Sequence, residues 1–428
     1  MTGRRAEGKR PASAGPTLSV EESRAKVSAA RLAAFDVLTL VGQGKGHSDE
    51  LLHSARTEEL SVEDRHLTTA LVMGVLRWQI ALDARLKTLL QRPEQRLAEP
   101  VAIALRMGAF QLLHLDRIPA HAALSESVEL CRAAGEPHAT GMVNAVLRKL
   151  AAAQKPGARM HESTAAFAER LGHPRWIVER WVAAYGRDAA LAVCEADQRE
   201  QSASGIFAAE EVGDAPLPVM DDGSRLVAEI AAAAMPGAKR VWDCCAAPGG
   251  KTLILAKRLG GAEIVATDVS AKRLAQTQFR MKRYGYAEDV KCSVADAVDA
   301  RKVEGEFDLI LCDVPCSGTG TLAGNPEIRH VLKVEELKRQ AARQQAILGA
   351  ALKRLAPGGR LVYSTCSLEA EECEEVVAAV GGARRVPVEV LLEGLGVRLE
   401  DAVRDGALRT LPGVHPCDGF YAVVLERA

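Results

Sequence analysis

Two rhythms of hydrophobic and polar positions divide the chain. From Glu21 to about Ala153, apolar residues return at steps of three and four, as in AKVSAARLAAFDVLTLV, HLTTALVMGVLRWQIALDARLKTLL, LAEPVAIALRMGAFQLLHL and ALSESVELCRAAG. That spacing is the signature of buried helix faces, and no convincing strand interrupts it. The first part therefore reads as an all-helical domain. Beyond about residue 208 the rhythm changes to short apolar runs, RVWDCC, EIVATD, VKCSVAD, FDLILCD and RLVYSTC. KTLILAKRL and AKRLAQTQFRMKRYG fall among the first four runs, and the stretch Val334 to Leu355 precedes the fifth. Strand–helix alternation of this kind predicts a parallel sheet with helices on both faces. FYAVVLE reads as a closing strand.

The breaks between rhythms give the domain limits. Residues 1–22 mix Gly, Pro, Ser and Arg without an apolar period and read as a disordered arm. Residues 23–153 form the helical domain. Residues 154–212 form a connector, with a Pro/Gly break (KPGAR) and helical stretches around Trp176–Tyr185 and Ala189–Asp197. Residues 213–428 form the α/β domain.

Composition narrows the function classes. The 428 residues are 48% hydrophobic and 26% charged, which excludes a wholly disordered chain. Lys+Arg number 55 against 56 Asp+Glu, so binding of nucleic acid by bulk charge is excluded and a local patch would be needed. Residues 1–155 hold 21 Lys+Arg against 17 Asp+Glu, a bias that permits an RNA-facing surface without demanding one. No apolar run approaches the roughly 18 residues of a membrane span. The basic start lacks the apolar stretch of a signal peptide, and ten cysteines without such a signal read as thiols in a reducing compartment. The expected location is the cytoplasm.

In open parallel sheets, ligands sit beyond the carboxyl ends of strands, near the switch in strand order. The first strand runs into DCCAAPGGKT, Asp243 to Thr252, where Gly249 and Gly250 allow close approach and the next helix offers free amides to an anion. A phosphate-binding loop would need glycine where Cys245 stands, and GxGxxG is absent. An adenosine-type site remains. Asp268, at the end of the second strand, suits ribose hydroxyls, and Asp296, after the third, could reach an adenine amino group. Either aspartate alone is more often a helix cap or turn former, but their recurrence at successive strand ends favours a ligand. DVPCSGTG (Asp313–Gly320) follows the fourth strand and YSTCS (Tyr363–Ser367) the fifth. If those strands are neighbours, Asp313, Cys316 and Cys366 converge at one rim. A zinc site is disfavoured because Cys312/Cys316 and Cys366/Cys373 do not form paired CxxC knuckles and His415 is the one histidine near the C-terminal end. No metal is expected.

The set DCCAAPGGKT, TDVS, ADA, DVPCSGTGTL and YSTCS closely resembles the signature of S-adenosylmethionine-dependent RNA cytosine-5 methyltransferases, the NOL1/NOP2/Sun group, over most of residues 218–428. GAFQLLHLDRIPAHAALSESVEL with GMVNAVLRKL is similar to the NusB-like helical domain over residues 24–153. The resemblance implies an α/β Rossmann-like class I methyltransferase domain preceded by an all-α NusB-like domain. It further implies S-adenosyl-L-methionine as methyl donor and small-subunit (16S) rRNA as partner, with no role for DNA or a membrane. Carried over residue by residue, Cys245, Ala246, Ala247, Pro248, Gly249, Gly250 and Lys251 form the cofactor loop. Asp268 takes the ribose, Asp296 the adenine edge, and Asp313 lies beside the sulfonium and the target base. Cys366 is the nucleophile, and Cys316 the second cysteine, used for proton removal or product release. Pro315 would stiffen its loop and turn backbone carbonyls toward the cytosine amino group.

Some positions depart from that pattern. The span Gln198–Asp221 is short and acidic where relatives carry a longer segment, which leaves the target site open. Ala323 and Gly324 stand where basic residues are usual, and Cys373 where Asn is usual. Methylation of tRNA or another RNA, a non-catalytic RNA-binding or antitermination-like factor, and a nucleoside-triphosphatase already weakened by Cys245 are the competing readings.

Overall fold

A computed structural model describes residues 20–153, 162–200, 205–212, 215–299 and 303–427. The chain divides into two compact units, Met1–Arg159 and Met160–Ala428. Most of the expected arm and the KPGAR break lie outside the described residues. The first unit is helical throughout its described part: α1 (Val20–Arg24), α2 (Ala29–Gly42), α3 (Ser48–Leu52), α4 (Ala55–Glu58), α5 (Val62–Lys87), α6 (Glu99–His114), α7 (Ala120–Ala133) and α8 (Thr140–Ala152). Its core gathers the apolar stripes of the long helices, including Leu71, Leu105, Met107, Leu130 and Leu147. Gly74 sets the contact between α5 and α6, since a Cβ there would lie 1.9 Å from the Phe110 ring. Ser61 caps α5 by accepting Asp64 N at 3.1 Å. Arg106 clamps Asp83 through two 2.7 Å bonds.

The second unit opens with α9 (Thr164–Arg170), α10 (Arg175–Tyr185) and α11 (Arg187–Ala196). These fall in the span read as a connector, yet they share a core with the α/β body: Phe167, Ile177, Trp181 and Val193 pack with Leu322, Leu368 and Leu411. A short hairpin, β1 (Glu211–Val212) and β2 (Ala215–Pro216), precedes α12 (Asp222–Ala234). Then follow β3 (Arg240–Asp243), α13 (Gly250–Arg258), β4 (Glu263–Asp268), α14 (Ala271–Arg283), β5 (Val290–Val294) and β6 (Phe307–Asp313). The remainder is α15 (Ile328–Val331), α16 (Val334–Leu352), β7 (Leu355–Thr365), α17 (Glu374–Ala379), β8 (Ala383–Val386), α18 (Glu389–Gly394), β9 (Val403–Arg404), β10 (Ala407–Arg409) and β11 (Tyr421–Arg427). No helix among the described residues is long and apolar enough to cross a membrane.

The main sheet runs β5-β4-β3-β6-β7-β11-β10-β9, with β8 also paired to β11. Its first five strands are parallel, and β11 joins antiparallel to β7. Each central strand sends alternate residues to opposite faces. Val241, Leu309 and Val424 enter one core with Leu226, Ile230 and Leu253 of α12 and α13. Trp242, Ile310 and Val423 enter the other with Ile347 and Leu348 of α16. Burial on both faces is why these strands read as unbroken apolar runs.

The differences from the sequence reading have local causes. β7 begins at Leu355, five residues before the expected run, because Leu355 pairs with Phe307 and a register irregularity absorbs the intervening residues before Arg360 meets Leu309. The preceding helix accordingly ends at Leu352. β5 stops at Val294, leaving Ala295 and Asp296 in the following turn. α12 has no counterpart among the expected elements: almost all of Asp222–Ala232 is buried, leaving no period of three and four to read, and Asp221 starts the helix by accepting Gly223 N and Ser224 N.

Candidate active site

The strand order reverses between β3 and β6, so the loops after β3, β4, β6 and β7 share one rim. After β3, the chain from Cys244 turns into α13 at Gly249, whose φ of 92° belongs to glycine. A Cβ on Gly249 would also lie 2.8 Å from Thr277 Cγ2. Ala246 N donates to Thr267 O at 2.9 Å, and Arg273 donates to Ala247 O at 2.7 Å. The loop is thus fastened to β4 and α14, while Pro248, Gly249 and Gly250 lead into the free amides of α13. The Cys245 thiol beside Cys244 is pushed well up, by that neighbour and by burial, and stays neutral.

Asp268 is buried and uses both carboxylate oxygens on backbone: Oδ1 accepts Ser270 N at 2.8 Å and Oδ2 accepts Ala247 N at 3.3 Å. Asp296 is exposed and accepts Val298 N at 3.0 Å in a turn. The adjacent strand ends bring the two together, since Ala295 N donates to Asp268 O. Val269, Val294 and Val298 leave exposed apolar surface around them.

Across the switch point, Lys251 Nζ donates to Asp313 Oδ2 at 2.6 Å, and Ser364 Oγ donates to Asp313 Oδ1 at 2.8 Å. Burial pulls the Lys251 ammonium down, but the Asp313 carboxylate outweighs it and the net shift is upward. Asp313 therefore sits in an ion pair with Lys251. Beneath it, Asp243 accepts Thr252 Oγ1 at 2.7 Å, while its Oδ1 is buried without a hydrogen-bond partner. Burial is the main cause that pushes the Asp243 carboxyl up to about 7.

Strands β6 and β7 are neighbours, with Asp313 opposite Ser364. Their loops bring Cys316 Sγ within 3.3 Å of Cys366 Sγ, and both are free thiols. The hydrogen bond to Cys366 and then burial push Cys316 well up, the charges of Cys366 and Glu372 adding to this. Gly320 N donates to Cys366 O at 2.9 Å, and Gly419 N to Gly320 O at 2.8 Å. Pro315 O accepts Gln344 Nε2 at 2.9 Å, so α16 holds this carbonyl in place. Behind Cys366, Trp181 Nε1 and Arg180 Nε donate to the Glu369 carboxylate at 3.0 and 2.6 Å, and Tyr185 OH donates to Leu368 O. Helix α10 thereby fixes the segment that follows the nucleophile candidate.

Several participants escaped the sequence reading. Ser317, Ser364, Ser367, Gln344 and Glu372 surround the cysteines, but isolated serines and one acid among the several of EAEECEE carry no periodic or spacing signal. Cys373, the noted departure, is buried and donates to Ser367 O while Arg409 donates to its sulfur, each at 3.4 Å. His415 accepts Leu411 N and meets Glu400 O, a structural role.

Residues 233–426 match the family described as 16S rRNA methyltransferase RsmB/F, and residues 28–152 match the NusB family. The ribosomal RNA small subunit methyltransferase B of Xanthomonas campestris pv. campestris is 33% identical, over 95% of this chain and 99% of its own. The chain belongs to the RsmB/F family of 16S rRNA methyltransferases. A second RsmB-type relative, the probable ribosomal RNA small subunit methyltransferase B of Bacillus subtilis, is 30% identical over 94% of this chain and 99% of its own. The crystal structure of PH0851 shares the fold, with a TM-score of 0.72 and 21% identity over 93% of this chain and 98% of that one. The RsmB/F architecture of a helical NusB region before a class I methyltransferase sheet is the fold class expected from the sequence.

Proposed function

We propose that this RsmB/F member methylates carbon 5 of a cytosine in 16S rRNA through a covalent adduct with Cys366, using S-adenosylmethionine as donor. The observation that carries the reading is the 3.3 Å pairing of Cys316 and Cys366 beside the Lys251–Asp313 ion pair. The donor set fits the cofactor: a glycine turn into free helix amides, an orphaned buried oxygen on Asp243, two carboxylates at successive strand ends, and exposed valines next to them in the chain. On this reading Cys245 to Lys251 form the loop around the cofactor's amino-acid and adenosyl parts, Asp268 holds the ribose and Asp296 the adenine edge. When bound, the cofactor supplies an electrophilic methyl group.

Carbon 5 of cytosine is too weak a nucleophile to take that methyl unaided. Addition of the Cys366 thiolate to carbon 6 makes carbon 5 enamine-like and puts electron density on nitrogen 3. Asp313, with Lys251 donating to it, presents the polar, proton-bearing pair to that edge. A thioether at Cys366 has neither a charge nor a thiol hydrogen bond to offer. Formation of the adduct thereby removes the largest cause that raises Cys316. Cys316 can then shed its proton to solvent, and its thiolate accepts the carbon 5 proton. The electron pair of that C–H bond re-forms the ring double bond and expels Cys366 as thiolate. One proton is released per methyl transferred. The target base must leave its stack to reach both cysteines, which favours single-stranded or looped RNA. Action on rRNA places the reaction in the cytoplasm.

The test is transfer of labelled methyl to unmodified 16S rRNA by wild type and Cys366→Ala. Label in 5-methylcytosine with wild type alone supports the reading. A Cys366→Ala variant as active as wild type overturns the nucleophile, and label confined to added tRNA overturns the substrate.

A further inference from the structure

Glu372 is wholly buried, and no salt bridge reaches it among the described residues. Its carboxylate is held by hydrogen bonds alone. Oε1 accepts Ser317 N at 2.9 Å and Gln344 Nε2 at 3.0 Å. Oε2 accepts Ser367 Oγ at 2.6 Å and also Ser317 Oγ. Ser317 follows Cys316 and Ser367 follows Cys366, so one carboxylate grips the residue next to each thiol. The two hydroxyls also meet at 3.1 Å. The backbone of Glu372 is anchored in turn, its N donating to Glu369 O at 3.0 Å and its carbonyl accepting Tyr363 OH at 2.7 Å. A buried carboxylate without a cation is costly, and a network of this kind is justified only where its charge or its rigidity is used.

We propose that Glu372 is a positioning residue for methyl transfer: it locks the two cysteine loops together and makes Cys316 the thiol that keeps its proton while Cys366 reacts. This rests on the reaction proposed above. The groups facing the pair are Lys251 and Asp313 on the cofactor side, and Glu372 and Tyr363 from behind. Glu372 is the anion whose charge works on Cys316 together with that of Cys366. When Cys366 is consumed, Glu372 still limits how readily Cys316 ionises, and so tunes release of the adduct.

The test is alkylation of the full-length protein by iodoacetamide across pH, with each thiol followed by peptide mass spectrometry, alongside kcat and KM for 16S rRNA. In Glu372→Gln the Cys316 midpoint should fall by about one pH unit, as expected for loss of a neighbouring negative charge. The kcat should fall about tenfold or more with KM for RNA within about twofold, the signature of a lost positioning contact rather than lost binding. Ser367→Ala keeps the charge but removes one donor, so its Cys316 midpoint should rise; this variant serves if Glu372→Gln does not fold. Unchanged midpoints in either folded variant, or a Glu372→Gln enzyme with wild-type kcat, overturn the proposal. Alkylation needs no turnover, so wild type lacking methylation would indict the proposed reaction and leave this inference to be judged by the thiol midpoints.

Discussion

Lys251 Nζ and Asp313 Oδ2, 62 residues apart in sequence, lie 2.6 Å apart across the switch point of the sheet. The cation comes from the first turn of α13 and the anion from the end of β6, so the pair joins the loop after β3 to the first cysteine loop. Asp313→Asn leaves a half-buried ammonium without its partner and should cost about 2–3 kcal/mol, toward the low end for breaking a buried pair because some solvent reaches it. The urea midpoint and kcat should both fall, and a variant matching wild type in both would show the pair to be idle.

The cysteine pair predicts an asymmetry. Cys316→Ser should retain adduct formation by Cys366 but resolve it slowly, so a protein–RNA complex stable to detergent should accumulate. Cys366→Ala should form none. Denaturing gel electrophoresis with labelled RNA reads both, and equal adduct in the two variants would exchange or abolish the assigned roles.

Asp243 predicts a pH dependence of stability. Its folded pKa is raised to about 7 by burial from an unfolded value near 3.8, so the folded state holds the proton more tightly. Stability should fall as pH rises from about 4 to 7 and level off above, by about 4 kcal/mol at most from this group. Asp243→Asn should flatten that slope, measured by urea denaturation at pH 5 and pH 8. Parallel slopes in wild type and variant would sink the assignment.

Gly320 is required by space. A Cβ there would lie 2.2 Å from Gly419 O and 2.8 Å from Gly419 C, and backbone cannot turn aside as a side-chain tip can. Gly320→Ala should cost about 1–3 kcal/mol as an overpacked contact. Because Gly320 N holds Cys366 O, kcat should drop further than stability alone explains. A variant with normal kcat at a temperature where it is fully folded would show that this contact does not position Cys366 for the reaction.

Much was already fixed by local pattern. The period of three and four marked α2, α5, α6 and α7. Apolar runs marked the central strands β3, β6 and β7, because strands buried on both faces cannot alternate with polar residues, whereas β5, mostly exposed at the sheet edge, showed only the mixed run VKCSVAD. Glycine chemistry at Gly249, and acids or thiols at successive strand ends, marked the loops that carry the candidate site. What the sequence could not contain is proximity between distant segments. Pairing of β6 with β7 sets Cys316 against Cys366, and the reversal of strand order sets Lys251 against Asp313. Glu372 and Ser317, 55 residues apart, had no local signal. Trp181 lay in a span that read as a connector, yet it donates to Glu369 behind the loop that carries Cys366. Propensity and periodicity act over a few residues, whereas hydrogen bonds and ion pairs need atoms within about 3 Å. Only closure of the sheet and burial of its two faces bring such atoms together.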